Sequence, residues 1–229
     1  MSVRHACVAC SRALEALGTG LTMLRSGGLR EPVYATGPKS QDLEELQFTL
    51  GEGPGVDALE AGGPVLTADL AGGPAERRWP AFAPAAAQCG AEAIYAIPVA
   101  AGAVRLGVLN VYRTHKGLPS GAELSDALIF ADAVMVLAID GRGGVATGLE
   151  ELIEVSFAER RAHVHQAAGM VAAQLQLNIT DALARLRAHA YLLDRRLGEV
   201  ATDVVRRRLR FGADGDGGAA RGPPPARGR

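Results

Sequence analysis

Apolar positions along the first 140 residues follow helical and strand rhythms in turn. Residues 4–17 place Ala6, Cys7, Cys10, Leu14 and Leu17 on one face, which predicts a helix. "GLTMLRS" and "EPVYATG" read as two strands joined by a Gly27-Gly28 turn, with Pro32 near a strand start, where its missing donor does least harm. "KSQDLEELQFTL" predicts a short helix opened by Ser40 and ended by "GEGPG". That punctuation predicts a turn, not a phosphate cradle, since no strand precedes it and no Lys-Ser/Thr follows. "GPVLTADL" reads as a short strand, and "PAERRWPAFAPAAAQCG" as a helical or irregular stretch broken by Pro80 and Pro84. Two apolar strands follow around an Ala-Gly-Ala turn in "AEAIYAIPVAAGAVRLGVLNVYR", then an apolar-faced helix in "SGAELSDALIFADAVMVLAID". The order predicts an antiparallel sheet with helices on its faces, an α+β domain of about 140 residues.

Beyond residue 140 the rhythm becomes purely helical. "GRGGVATG" (141–148) reads as a flexible linker. Residues 149–211 then predict three helices, the first running to about Leu177. Asn178 caps the second, with Asp181 three positions on, and that helix ends near Tyr191. The third covers roughly Leu197 to Arg210. Val164, Ala167, Ala168, Val171 and Leu175 form one apolar stripe, and Gly169 beside it predicts close approach of another helix. Ala182, Leu183, Leu186 and Ala190 form the stripe of the second helix, and Leu197, Val200, Ala201, Val204 and Val205 that of the third. The Gly/Pro-rich tail, 212–229, carries no apolar residue larger than alanine or proline and is expected to stay disordered.

Charge divides the chain in the same place. Residues 1–155 hold 11 basic and 18 acidic side chains, a balance of −7, whereas residues 156–211 hold 10 and 5, a balance of +5. Every basic residue from Ser156 onward is arginine. Its guanidinium fork donates paired hydrogen bonds to phosphate, so the second segment is expected to meet an anionic partner. No apolar run approaches the roughly 20 residues of a membrane helix, no secretory leader stands out, and three cysteines argue against a disulfide framework. A cytoplasmic protein is expected.

Catalytic and metal chemistry find little support. His163 and His165 are two apart, about 200° around a helix, so they cannot share an ion; both are expected on the helix surface. Cys7 and Cys10 share a face and would need Cys89 beside them to build a redox or metal site. Hydrolase and metalloprotease motifs are absent, and Asp57, Glu60 and Asp69 read as solvated loop carboxylates. No enzyme, no metal and no cofactor are expected. Outside the helical stripes lie Arg160, Arg161, Arg185, Arg187, Arg195, Arg196, Arg206, Arg207, Arg208 and Arg210, with Tyr191, His165 and His189 available to stack on unpaired bases.

Three patterns within 149–211 resemble one family: R-x-x-V-x-x-A-x-G-M from Arg161, N-x-x-D-A-L-x-x-L-R-x-x-A from Asn178, and R-R-L-x-x-V-A-x-x-V-V from Arg195. They look like the ANTAR domain, a three-helix RNA-binding module of bacterial transcription antiterminators. The segments "LEELQFTLGEGPGVDA", "RWPAF", "AIPVAAGAVRLGVLNVYR" and "LSDALIFADA" resemble the GAF domain that precedes ANTAR in many actinobacterial regulators. The resemblance implies a GAF sensor over 1–140, taking an unidentified small-molecule ligand or signal, and an ANTAR domain over 149–211. It further implies a homodimer that grips paired RNA stem-loops in a nascent transcript and prevents a terminator hairpin from forming. By position, Arg161, Arg187 and Arg196 match the family's basic or polar sites, and Ala167, Gly169, Ala182, Leu183 and Ala201 its packing sites. The RNA-binding residues expected are therefore Arg161, His165, Arg185, Arg187, Arg195 and Arg196. One departure stands out: the family usually has lysine directly before the motif glycine, and this chain has Ala168. Two alternatives remain: a cysteine-based redox sensor or methionine sulfoxide reductase-like GAF protein, and a GAF dimerisation module with a degenerate ANTAR.

Overall fold

The computed structural model describes residues 2–25, 28–140, 155–193 and 195–212, the side chains of 140 and 155–161 excepted. The predicted linker 141–148, most of the tail, and Gly27 of the first predicted turn lie outside the described residues. Two compact units are present, Met1–Phe157 and Ala158–Arg229.

The first unit runs α1 (Val3–Ala13), β1 (Gly18–Leu24), β2 (Arg30–Ala35), α2 (Pro38–Leu50), α3 (Pro54–Ala61), β3 (Val65–Thr67), α4 (Gly73–Arg78), α5 (Phe82–Gln88), β4 (Ala93–Ala101), β5 (Val104–Arg113) and α6 (Gly121–Asp140). Its five strands form one antiparallel sheet in the order β2-β1-β5-β4-β3. The α+β expectation holds for this unit. Alternation along the strands splits the core in two. Leu21, Met23, Ile97, Leu109 and Val111 join Cys7, Cys10, Ala131 and Val134 on the face covered by α1 and α6. Ile94, Val108 and Tyr112 join Leu43, Leu59, Trp79 and Phe82 on the face covered by α2–α5.

Several expected boundaries move. Helix α1 stops at Ala13, because Leu14 leaves helical geometry and Glu15 turns to a left-handed φ of 45°, so Leu17 belongs to the approach to β1. Ser40 is not the cap of α2. Gly37 is, with Pro38 in the first turn, while Ser40 bonds both backbone groups of Gly37. "GEGPG" is more than a turn: Gly51 ends α2 in the left-handed region, and Gly53 and Pro54 open α3, a helix missed by periodicity because it spans only eight residues. The stretch expected to be helical or irregular is helical: Trp79 and Pro80 separate α4 from α5 as a break at Pro80 predicts, whereas Pro84 sits in the first turn of α5 and does not break it.

The second unit contains α7 (Val155–Leu175) from Ala158 onward, α8 (Ile179–Leu192) and α9 (Leu197–Val205). Asn178 caps α8 as expected, its side chain accepting from the Asp181 N–H at 2.9 Å. Val164, Ala167, Ala168, Val171, Leu183, Leu186, Leu197, Val200 and Val204 are buried together with Ala182, Ala190 and Ala201. Helix α9 ends five residues earlier than expected, in a tight turn. Among the described residues the packing role expected of Gly169 is not realised, since a β-carbon there would meet none of them within 4 Å.

Candidate functional site

Two places gather chemistry, one in each unit. In the first, Glu44 and Gln47 lie three apart on α2 and so share the face that covers β1 and β5. Thr22, Asn110 and Tyr112 point up from the sheet on that side, since strand parity sends Leu21, Leu109 and Val111 to the other. The Glu44 carboxyl accepts three hydrogen bonds: Thr22 Oγ1 at 2.6 Å on one oxygen, Asn110 Nδ2 at 2.7 Å and the Tyr112 hydroxyl at 2.6 Å on the other. Gln47 Nε2 donates to the Tyr112 oxygen at 3.0 Å, and Gln47 Oε1 accepts the Gly55 N–H at 2.8 Å.

Glycine makes the room. A β-carbon on Gly20 would collide with the Glu44 carboxylate, and one on Gly55 would sit 2.6 Å from Asn110 Oδ1. Burial is complete for Glu44 and pushes its carboxyl above the ordinary range; the bonds from Thr22, Tyr112 and Asn110 pull the other way and do not win. Tyr112 is pushed well up, first by burial and then by the neighbouring Glu44 carboxylate. Asn110 Oδ1 is buried with no hydrogen-bond partner among the described residues. This network escaped the sequence reading, because its five polar residues are scattered over 22–112 and only the sheet collects them.

The cysteines do not converge. Cys7 and Cys10 are fully buried on the α1 face, whereas Cys89 packs against the opposite core. Burial drives both thiols up, Cys10 to about 12, so neither supplies a thiolate near neutral pH. The trio required for a redox or metal site is not assembled. Among the described residues no group of three His, Cys, Asp or Glu side chains is placed to hold a metal ion.

In the second unit the six expected RNA-binding residues divide. Arg185 and Arg196 are exposed and make no ion pair among the described residues. Arg196 is the N-cap of α9 and offers no side-chain cap. There a cation opposes the helix dipole, a placement that stability alone does not favour. Arg195 is committed instead: it donates to Asp203 at 2.8 Å and lies 3.7 Å from Glu199. Arg187 and His165 are half-buried with contacts of their own. The Arg161 side chain lies outside the described residues. His163, expected on the surface, is half-buried, and its Nδ1 stands 3.4 Å from the Thr202 hydroxyl. His189 packs edge-on against Phe211, leaving Tyr191, 62% exposed, as the accessible aromatic on α8. Ala168 is 1% exposed, so this position belongs to the core of the unit.

No family model matches the sequence, and no curated protein does. Several solved structures similar to it are GAF domains. That of a phosphoenolpyruvate-protein phosphotransferase from Coxiella burnetii is 17% identical, covering 62% of this chain and 84% of its own, with a TM-score of 0.48. The second GAF domain of DevS from Mycobacterium smegmatis is 16% identical over 58% and 88%, with a TM-score of 0.42. A type II free methionine-R-sulfoxide reductase from Thermoplasma acidophilum is 16% identical over 66% and 94%, with a TM-score of 0.45. At this identity the likeness concerns architecture alone. Among the described residues no helix is long and apolar enough to cross a membrane.

Proposed function

We propose that the chain is a signal-responsive regulator: a GAF-type sensing unit followed by an ANTAR-type unit that binds RNA stem-loops and acts in transcription antitermination. The observation that carries this reading is the pair Arg185 and Arg196, exposed guanidinium groups without a carboxylate partner among the described residues. They stand in a segment whose fixed cations are all arginine. Among the described residues acidic partners neutralise Arg195 but not these two, so a polyanion is their natural complement. The sequence resemblance selects RNA among polyanions. The separation of Cys89 from Cys7 and Cys10 disfavours the redox alternative. The sensing role of the first unit rests on the resemblance. Ile129 and Val136, exposed two turns apart on α6, favour the dimer that the same resemblance implies.

The test is a gel-shift titration of the full chain against tandem stem-loop RNA at several salt concentrations. Binding that weakens steeply with salt is expected, and Arg185→Ala with Arg196→Ala should reduce the log–log slope by roughly two. Absence of binding at low salt, or a slope untouched by the double variant, overturns the reading.

A further inference from the structure

Four of the five residues 206–210 are arginine; they stand among the outward arginines that the sequence offers to an anionic partner, but outside the six named for RNA binding. It is an ordered turn. The backbone N–H groups of Arg206, Arg207, Arg208 and Leu209 donate to the Thr202, Val204, Asp203 and Asp203 carbonyls at 2.8–3.1 Å, closing the end of α9. Leu209 is buried beneath it. The Phe211 N–H then donates to Gln174 Oε1 at 3.0 Å, which ties the far side of the turn to α7.

All four arginines are exposed. Arg206, Arg207 and Arg210 make no ion pair among the described residues, and Arg208 only approaches Asp203 at 3.9 Å, a carboxylate already held by Arg195. One cation in the last turn would complement the helix dipole; four crowd their like charges. Arg207 also adopts a φ of 59°, where glycine is the relaxed choice and a β-carbon costs about 1 kcal/mol. No aromatic residue stands among the five, so the turn has charge and forked donors without a platform for stacking bases.

We infer that the 206–210 turn is a clamp for the phosphodiester backbone of the bound RNA, indifferent to sequence, which positions the stem while other residues meet the loop. The inference rests on the RNA reading above. Closely spaced phosphates relieve the mutual repulsion of the arginines, which the carboxylates among the described residues of the unit do not.

The experiment compares the wild-type chain, an Arg206→Ala, Arg207→Ala, Arg210→Ala triple variant and Arg207→Gly, each titrated against the tandem stem-loop RNA and a version with scrambled loops. The triple variant should lower the salt slope by between two and three, and weaken binding to both RNAs by the same factor. Arg207→Gly should lower the slope by about one while raising the melting temperature, which separates lost charge from lost fold. A wild-type chain that binds with the same slope as the triple variant overturns the clamp and leaves the RNA reading standing. Weakening confined to the native loops overturns it as well. A wild-type chain that binds neither RNA overturns both.

Discussion

Arg113 and Arg196 show the two units using one residue type in opposite ways. Arg113 ends β5 and is buried. Its guanidinium donates to the Leu14 carbonyl at 2.6 Å and to Glu123 at 2.8 Å, meets the His115 ring, and lies over the Tyr95 ring. Arg196 begins α9 and is exposed, without an ion pair among the described residues. Arg113 is matched inside its own unit, and Arg196 holds its charge outward. Charges matched inside act on stability, and removing one leaves partners stranded. Charges held outside act on association and are nearly silent in stability.

Glu44→Ala is the strongest break in this contrast. It strands donors from Thr22, Asn110 and Tyr112 in the core, and denaturant unfolding should show a loss of about 3 kcal/mol or more. Gly20→Ala drives a β-carbon into the Glu44 carboxylate and should cost about 1–3 kcal/mol by the same measurement; an unchanged midpoint means that α2 does not rest on β1 as described.

A third prediction concerns pH. A carboxyl raised in the folded state stabilises the fold fully at pH below its unfolded pKa, and that stability is lost as pH rises through the folded value. Stability followed upward from the ordinary glutamate range should therefore fall in the wild type, and Glu44→Gln should flatten the decline. Thiol labelling gives the fourth: Cys7 and Cys10 should resist alkylation in the native protein and react only on unfolding, since burial keeps both protonated and covered. The smallest effect on stability is expected for Arg196→Ala, a gain of up to about 1 kcal/mol from a relieved helix N-terminus, alongside weaker RNA binding. A variant that loses stability instead would place Arg196 with Arg113, among the structural cations.

The sequence made the strands legible because β1, β2, β4 and β5 are bounded by glycine or proline and carry dense apolar runs. Asn178 announced α8 through its local cap. Helix α3 was not legible, because eight residues between two glycines give too few turns for a period to emerge. Of the proposed interface, the arginines could be found by composition, but not which were spoken for: Arg195 and Arg196 are neighbours in sequence, and among the described residues only Arg195 of the two meets Asp203 and Glu199. The Glu44 network was invisible because Thr22, Asn110 and Tyr112 are joined by sheet pairing across roughly 90 residues.

That same long pairing sets a timetable for synthesis. The Arg113 bond to Leu14 spans 99 residues, and β1, though β2 follows it at once, has its other neighbour in β5, so α1 and β1 emerge from the ribosome long before β5 and α6. At 5–20 residues per second the wait is on the order of 5–20 s. During it the apolar side of α1, with both its thiols, has neither β5 nor α6 to cover it. Cys7 and Cys10, sealed in the finished fold, are open to oxidants chiefly in those seconds, so oxidative damage at these sites would record stress at translation rather than in the mature protein.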